Sequence, residues 1–110
     1  MSVHRLAPQQ VSATHRRITI WYPRGRVTEA LDFAHLQQVR VIESDSVLLW
    51  QLDGPAGQVL LVPFGIEGEG ELRRELQALP GFDIDLLFAY LDERTDAQPP
   101  LALWQLNTPE

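Results

Sequence analysis

The stretch SVLLWQLDGPAGQVLLVPFG, Ser46 to Gly65, decides the fold. Two apolar runs, Val47–Leu52 and Val59–Phe64, flank Asp53-Gly54-Pro55-Ala56-Gly57. Leu, Val and Trp fit a pleated surface, while the glycines and proline permit a reversal. The stretch therefore reads as a β-hairpin with a loop of about five residues, slightly longer than the tightest two-residue turns. Side chains alternate along a strand. Leu48, Trp50 and Leu52 therefore share one face, and Val47, Leu49 and Gln51 the other. In the second run Leu60, Val62 and Phe64 alternate with Val59, Leu61 and Pro63. Near-continuous apolarity predicts that both faces are largely covered, at the centre of the core. Pro63 has no N–H to give a ladder, which puts the end of its strand at an edge or a bend.

Before the hairpin, residues 1–14 show no sustained period and read as a loosely ordered leader pinned at Leu6 and Val11. Residues 15–110 read as a single domain. In His15–Tyr22, Ile18, Ile20 and Tyr22 oppose Arg17, Thr19 and Trp21, which predicts a half-buried strand. Pro23-Arg24-Gly25-Arg26 is turn chemistry. Val27 to Phe33 fits either a strand or a helical turn. Leu36–Glu43 reads as a strand, with Val39 and Val41 opposed to Arg40 and Ile42.

After the hairpin the period changes. Leu72, Leu76 and Leu79 form one stripe of an amphipathic helix, which Pro80-Gly81 ends. Asp83 is placed to cap a second helix from Ile84 to about Glu93, with Phe82 and Leu87 at the spacing of a hydrophobic staple. That helix is expected to bury Ile84, Leu87, Phe88 and Leu91. A strand is the rival, because Phe82, Ile84 and Leu86 alternate with Asp83 and Asp85; the cap and Leu-Leu-Phe-Ala-Tyr-Leu favour the helix. Arg94–Pro100 reads as a linker and Leu101–Leu106 as a final strand. The expected fold class is α+β: an antiparallel sheet of about five or six strands with two helices in the C-terminal half.

The 110 residues are 45% hydrophobic and 22% charged, a globular composition long enough to bury a core. No cysteine is present, which excludes disulfides, thiol catalysis and cysteine metal sites. No apolar run approaches a membrane span, and the N-terminus lacks a secretory apolar core, so a cytoplasmic location is expected. The first 26 residues carry Arg5, Arg16, Arg17, Arg24 and Arg26 and no acid. The other residues hold four arginines against fifteen acids, a formal balance of −11. Such asymmetry fits a basic segment lying on an acidic surface, its own or a second copy's, or contact with an anionic partner. A net charge of −6 argues against a dedicated nucleic-acid binder.

His4, His15 and His35 lack the spacing that sets two imidazoles on one metal. One helical turn would bring Asp32 and His35 together for base chemistry, but no nucleophile in a family context accompanies them. Glu67, Glu69, Glu71, Glu75, Asp83 and Asp85 lack the ligand order of a calcium loop and read as a solvated approach to a helix. The glycines there do not form a phosphate cradle among so many carboxylates. No catalytic residue, metal or cofactor is expected. Trp21 shares a face with Arg17, and with Arg24 and Arg26 it makes the candidate partner-binding patch, since Trp and Arg dominate interface hot spots.

Antiparallel strands, a central hairpin ending in Val62-Pro63-Phe64 and the helix ELRRELQAL resemble a small bacterial pleckstrin-homology-like domain over Arg17 to Leu79. The resemblance implies a bent antiparallel sheet capped by a helix, and a role in binding or scaffolding rather than catalysis. It carries no lipid site here, because Pro23–Arg26 holds only two positive charges. The expected function is a non-catalytic protein-interaction or scaffolding module that binds a protein partner or forms a homodimer, through sheet edges or complementary charge. The alternative is a small-molecule-binding accessory protein with a pocket lined by Trp50, Phe64 and Phe88.

Overall fold

The computed structural model describes residues 8–22, 28–92 and 100–106. Their order is β1 (Gln10–Ala13), β2 (Arg17–Trp21), β3 (Thr28–Asp32), β4 (Gln38–Ser44), β5 (Val47–Asp53), β6 (Val59–Pro63), α1 (Glu69–Gln77), α2 (Ile84–Asp92) and β7 (Leu101–Gln105). The class is α+β as expected, with two antiparallel sheets rather than one. The first sheet has the order β1-β2-β3 and the second β6-β5-β4-β7. The described strands number seven, more than the sequence count, because β1 and β3 both form.

The hairpin forms as read. Trp50 pairs with Val62 and Leu52 with Leu60, and Gly54 N–H donates to the Gln58 carbonyl at 2.8 Å. Ala56 and Gly57 take positive φ of 57° and 78° to close the turn. Leu48, Trp50, Leu52, Leu60 and Val62 point into a core shared with Val11, Ile18, Ile20 and Leu31 of the first sheet, Val39 and Val41 of β4, Leu72 and Leu76 of α1, and Leu87 of α2.

Three expectations need correction, and one open reading is resolved. Gln10–Ala13, assigned to the loose leader, is a strand paired with β2 from Gln10↔Trp21 to Ala13↔Ile18. Only Val11 and Ala13 of it are apolar and buried, too few to announce a strand, and tertiary pairing supplies the rest. Val11 is indeed buried, while Leu6 lies outside the described residues. Thr28–Asp32, ambiguous in sequence, is a strand followed by a single 3₁₀ turn at Phe33–His35.

The outward face of β5 and β6 is not covered, since Val47 is 47% and Val59 44% exposed. Phe88 is 56% exposed, and in α2 Leu87 alone is fully buried. Asp83 does cap that helix, accepting from Leu86 N–H at 3.0 Å. Pro23–Arg26, Glu93 and all of the linker but Pro100 lie outside the described residues.

A close contact ties the first sheet to α1. Val11 N–H donates to the Glu67 carbonyl at 2.9 Å, and Gly68 follows with φ of 88° as the residue before the helix. A Cβ at Gly68 would lie 1.7 Å from the Val11 carbonyl oxygen. Only glycine fits both the left-handed backbone and the approach of β1.

Candidate functional site

α1 begins at the one buried carboxylate among the described residues, Glu69 at 6% exposure. Its Oε2 accepts from Trp50 Nε1–H at 3.0 Å and from Arg73 Nε–H at 3.0 Å. Its Oε1 accepts from Gly65 N–H at 3.2 Å and from a second Arg73 nitrogen at 3.2 Å. The Arg73 guanidinium lies over the Phe64 ring at 4.9 Å from its centroid, and that ring stacks on Trp50 with centroids 4.9 Å apart. Phe82 approaches Trp50 at 6.5 Å. Each polar group at this corner has a partner, so the arrangement locks the helix onto the sheet.

This packing bears on the proposed small-molecule pocket. Trp50 is fully buried beneath Phe64, whereas Phe88 lines a separate outward depression with Ala89, Leu91 and Asp92. The acidic stretch is likewise divided: Glu69 holds Arg73, and Asp83 caps α2. Among the described residues, no group of three or more His, Cys, Asp or Glu side chains is placed to hold a metal ion.

The patch named from the sequence is spread out. Arg17 and Trp21 share the outward face of the first sheet with Ser12, Thr19 and Ala30, as the register Ser12↔Thr19↔Ala30 requires. They stand at opposite ends of β2, about 13 Å apart for four residues of extended chain. Trp21 is half-buried, and Arg17 Nε–H donates to Asp32 Oδ1 at 2.7 Å. That hydrogen bond, with the positive charges of Arg17 and His35, holds the Asp32 carboxyl below the usual carboxylate range. Arg24 and Arg26 lie outside the described residues. Asp32 and His35 do share a depression, of about 210 Å³, in which Arg17 holds one oxygen of the carboxylate, Oδ1.

At the far side of the same sheet, Tyr22 O–H donates to Glu29 Oε1. Burial, then that hydrogen bond and the Glu29 charge, push the phenol up to about 12.

The surface that the sequence reading missed is the outward face of the second sheet. Its rows follow from register: Ser44↔Val47; Ile42↔Leu49↔Pro63; Arg40↔Gln51↔Leu61; Gln38↔Asp53↔Val59. Ile42, Val47, Leu49, Val59, Leu61 and Pro63 thus form one aliphatic field, exposed or half-exposed throughout. Within it Arg40 donates to Asp53 Oδ2 at 3.0 Å, and the Gln51 amide donates to Asp53 Oδ1 at 3.1 Å. The face is formally neutral on a chain of net charge −6. Gln51 on the parity of Leu49, and Arg40 on that of Ile42, are the sequence signal that this face is not core.

The strand edges, in contrast, are engaged or interrupted at single points. β1 gives its outward Val11 N–H to Glu67, and the Gln58 amide donates to Ala30 O on β3 at 2.9 Å. On β7 the Leu103 carbonyl accepts from Asp83 N–H at 3.1 Å. Phe64 N–H donates to Leu48 O, so alternation turns Val59, Leu61 and Pro63 towards the open side of β6. Pro63 has no N–H to offer there, so the expectation of an edge position is met. Such devices protect a sheet from strand addition.

No protein-family model, curated protein or solved structure matches the chain. Among the described residues, no helix is long and apolar enough to cross a membrane.

Proposed function

We propose that the protein is a non-catalytic interaction module that pairs with a second copy of itself through the outward face of the four-stranded sheet. The observation that carries this reading is the aliphatic field of Ile42, Val47, Leu49, Val59, Leu61 and Pro63, exposed at Val47 and Val59 and partly exposed at the other four. Exposed apolar patches of this kind mark interaction sites. The occupant follows from charge. A second copy carries the same net charge of −6, and like charge disfavours contact between two acidic surfaces but not between two neutral ones. This face is neutral, with Arg40 and Asp53 paired to each other within the chain, so a second copy meets no unanswered like charge on it.

Six strands precede α1, one fewer than the seven of a pleckstrin-homology-like scaffold, and β7 follows the helices. The field spans roughly 15 by 20 Å, about 300 Å² of footprint. A standard interface buries about 800 Å² per partner, so the pairing is weak and reversible.

Sedimentation velocity from about 1 to about 200 µM tests it, at about 0.1 and 0.5 M salt. The expected result is a dimer at the upper concentrations that persists at high salt, and its loss in Leu61→Lys and in the exposed-site variant Val47→Lys. A monomer throughout, or a dimer untouched by both variants, would overturn it. A dimer that dissociates with salt would instead assign association to the arginine-rich segment.

A further inference from the structure

We propose that the depression beside the β1–β2 turn is a binding site for a small molecule that carries an oxyanion next to a hydrogen-bond donor. This site is independent of the paired sheet face. The depression, about 490 Å³, is lined by His15, Arg16, Arg17, Asp32, Phe33 and Ala34. It gathers two arginines and a histidine around a single acid, on a chain whose acids outnumber its basic residues by fifteen to nine.

Local backbone chemistry explains why these groups converge. Thr14 Oγ1 accepts from Arg16 N–H at 3.2 Å and Arg17 N–H at 3.1 Å, which tightens the turn between β1 and β2. Phe33 N–H donates to the Arg16 carbonyl at 2.8 Å, bringing the start of the 3₁₀ turn against it.

The spare hydrogen-bonding capacity defines the ligand. Among the described residues, Arg17 meets Asp32 through Nε alone, so its two terminal nitrogens keep their donors. The Arg16 side chain has no partner among the described residues and is exposed. Asp32 uses Oδ1 for Arg17, which leaves Oδ2 as an acceptor. Two guanidinium groups match a carboxylate or phosphate, which they bind by paired N–H donors. The remaining Asp32 oxygen repels a bare anion and accepts from a neighbouring hydroxyl or ammonium group. Phe33 supplies an apolar wall for the carbon skeleton. A carboxylate and a phosphate ester share this chemistry, and the probes below separate them.

The test is titration of the full chain, followed by amide chemical shifts, with malate, glycerol 3-phosphate and succinate in turn. The expected result is saturable shifts centred on residues 14–17 and 32–35 with malate or glycerol 3-phosphate, the tighter of the two naming the oxyanion. Succinate, which lacks the hydroxyl, is expected to bind more weakly than malate. Arg16→Ala is expected to weaken binding about tenfold, the loss of one charge-assisted contact. Arg74→Ala, an exposed arginine on α1, is expected to leave it unchanged. Asp32→Ala is expected to remove the preference for malate over succinate. Shifts that fail to saturate, that spread over all arginines, or that survive Arg16→Ala unaltered would overturn the site.

Discussion

The two faces of the four-stranded sheet are made from the same residue types and have opposite fates. Inside, Leu48, Trp50, Leu52, Leu60 and Val62 are buried under the helices and the first sheet. Outside, Ile42, Val47, Leu49, Val59 and Leu61 meet nothing among the described residues that buries them fully. The polar groups differ in the same sense. Glu69 on the inner side accepts from three residues and is almost wholly shielded. Arg40 and Asp53 on the outer side answer each other, with side chains 33% and 17% exposed. The coverage of a strand face is thus decided by which element packs on it, not by its own apolarity.

Truncation of the inner face should cost most. Trp50→Ala removes a fully buried ring and its stack with Phe64, with an expected loss of about 4 kcal/mol in urea unfolding. A loss under about 1 kcal/mol would mean that the corner collapses around the gap. Glu69→Ala comes next. It strands the buried Trp50 N–H and removes the carboxylate opposite Arg73, for about 3 kcal/mol by the same measurement. The outer face should barely register in stability. Leu49→Ser is expected to shift unfolding by less than about 1 kcal/mol while abolishing self-association. Equal costs on both faces would erase the contrast.

The smallest effect lies at the first sheet and concerns pH. The Tyr22 phenol titrates near 12 in the folded chain, above its ordinary 10, because burial and then Glu29 disfavour the phenolate. The neutral phenol therefore stabilises the fold fully below pH 10, and that contribution is lost as pH rises through about 12. Ultraviolet titration should resolve a tyrosine step near 12, with Tyr22→Phe removing it.

Much of this architecture is legible in the sequence, for physical reasons that vary by element. The hairpin, the Leu72–Leu76 stripe and the Asp83 cap are local signals, and local signals survive in isolation. β1 was illegible because its pairing with β2 and its bond to Glu67 are tertiary. The pairing that brings Asp32 beside Arg17 is equally non-local, since the two residues meet only through β2–β3 register. Arg17 and Trp21 were correctly placed on one face, but the sequence did not show Arg17 committed to Asp32. The aliphatic field was misread as core because apolar runs look alike whether covered or bare. Gln51, on the parity of Leu49, and Arg40, on that of Ile42, hold the local hint.

The central claim is that the outer face of the four-stranded sheet is where two copies meet. Amide chemical shifts recorded on dilution from about 200 to about 5 µM test it most directly. The account predicts changes confined to the rows of β4, β5 and β6 around Ile42, Leu49 and Leu61, with β2 and α1 unmoved. Shifts centred on Arg17 and Trp21, or no change at all on dilution, would contradict it.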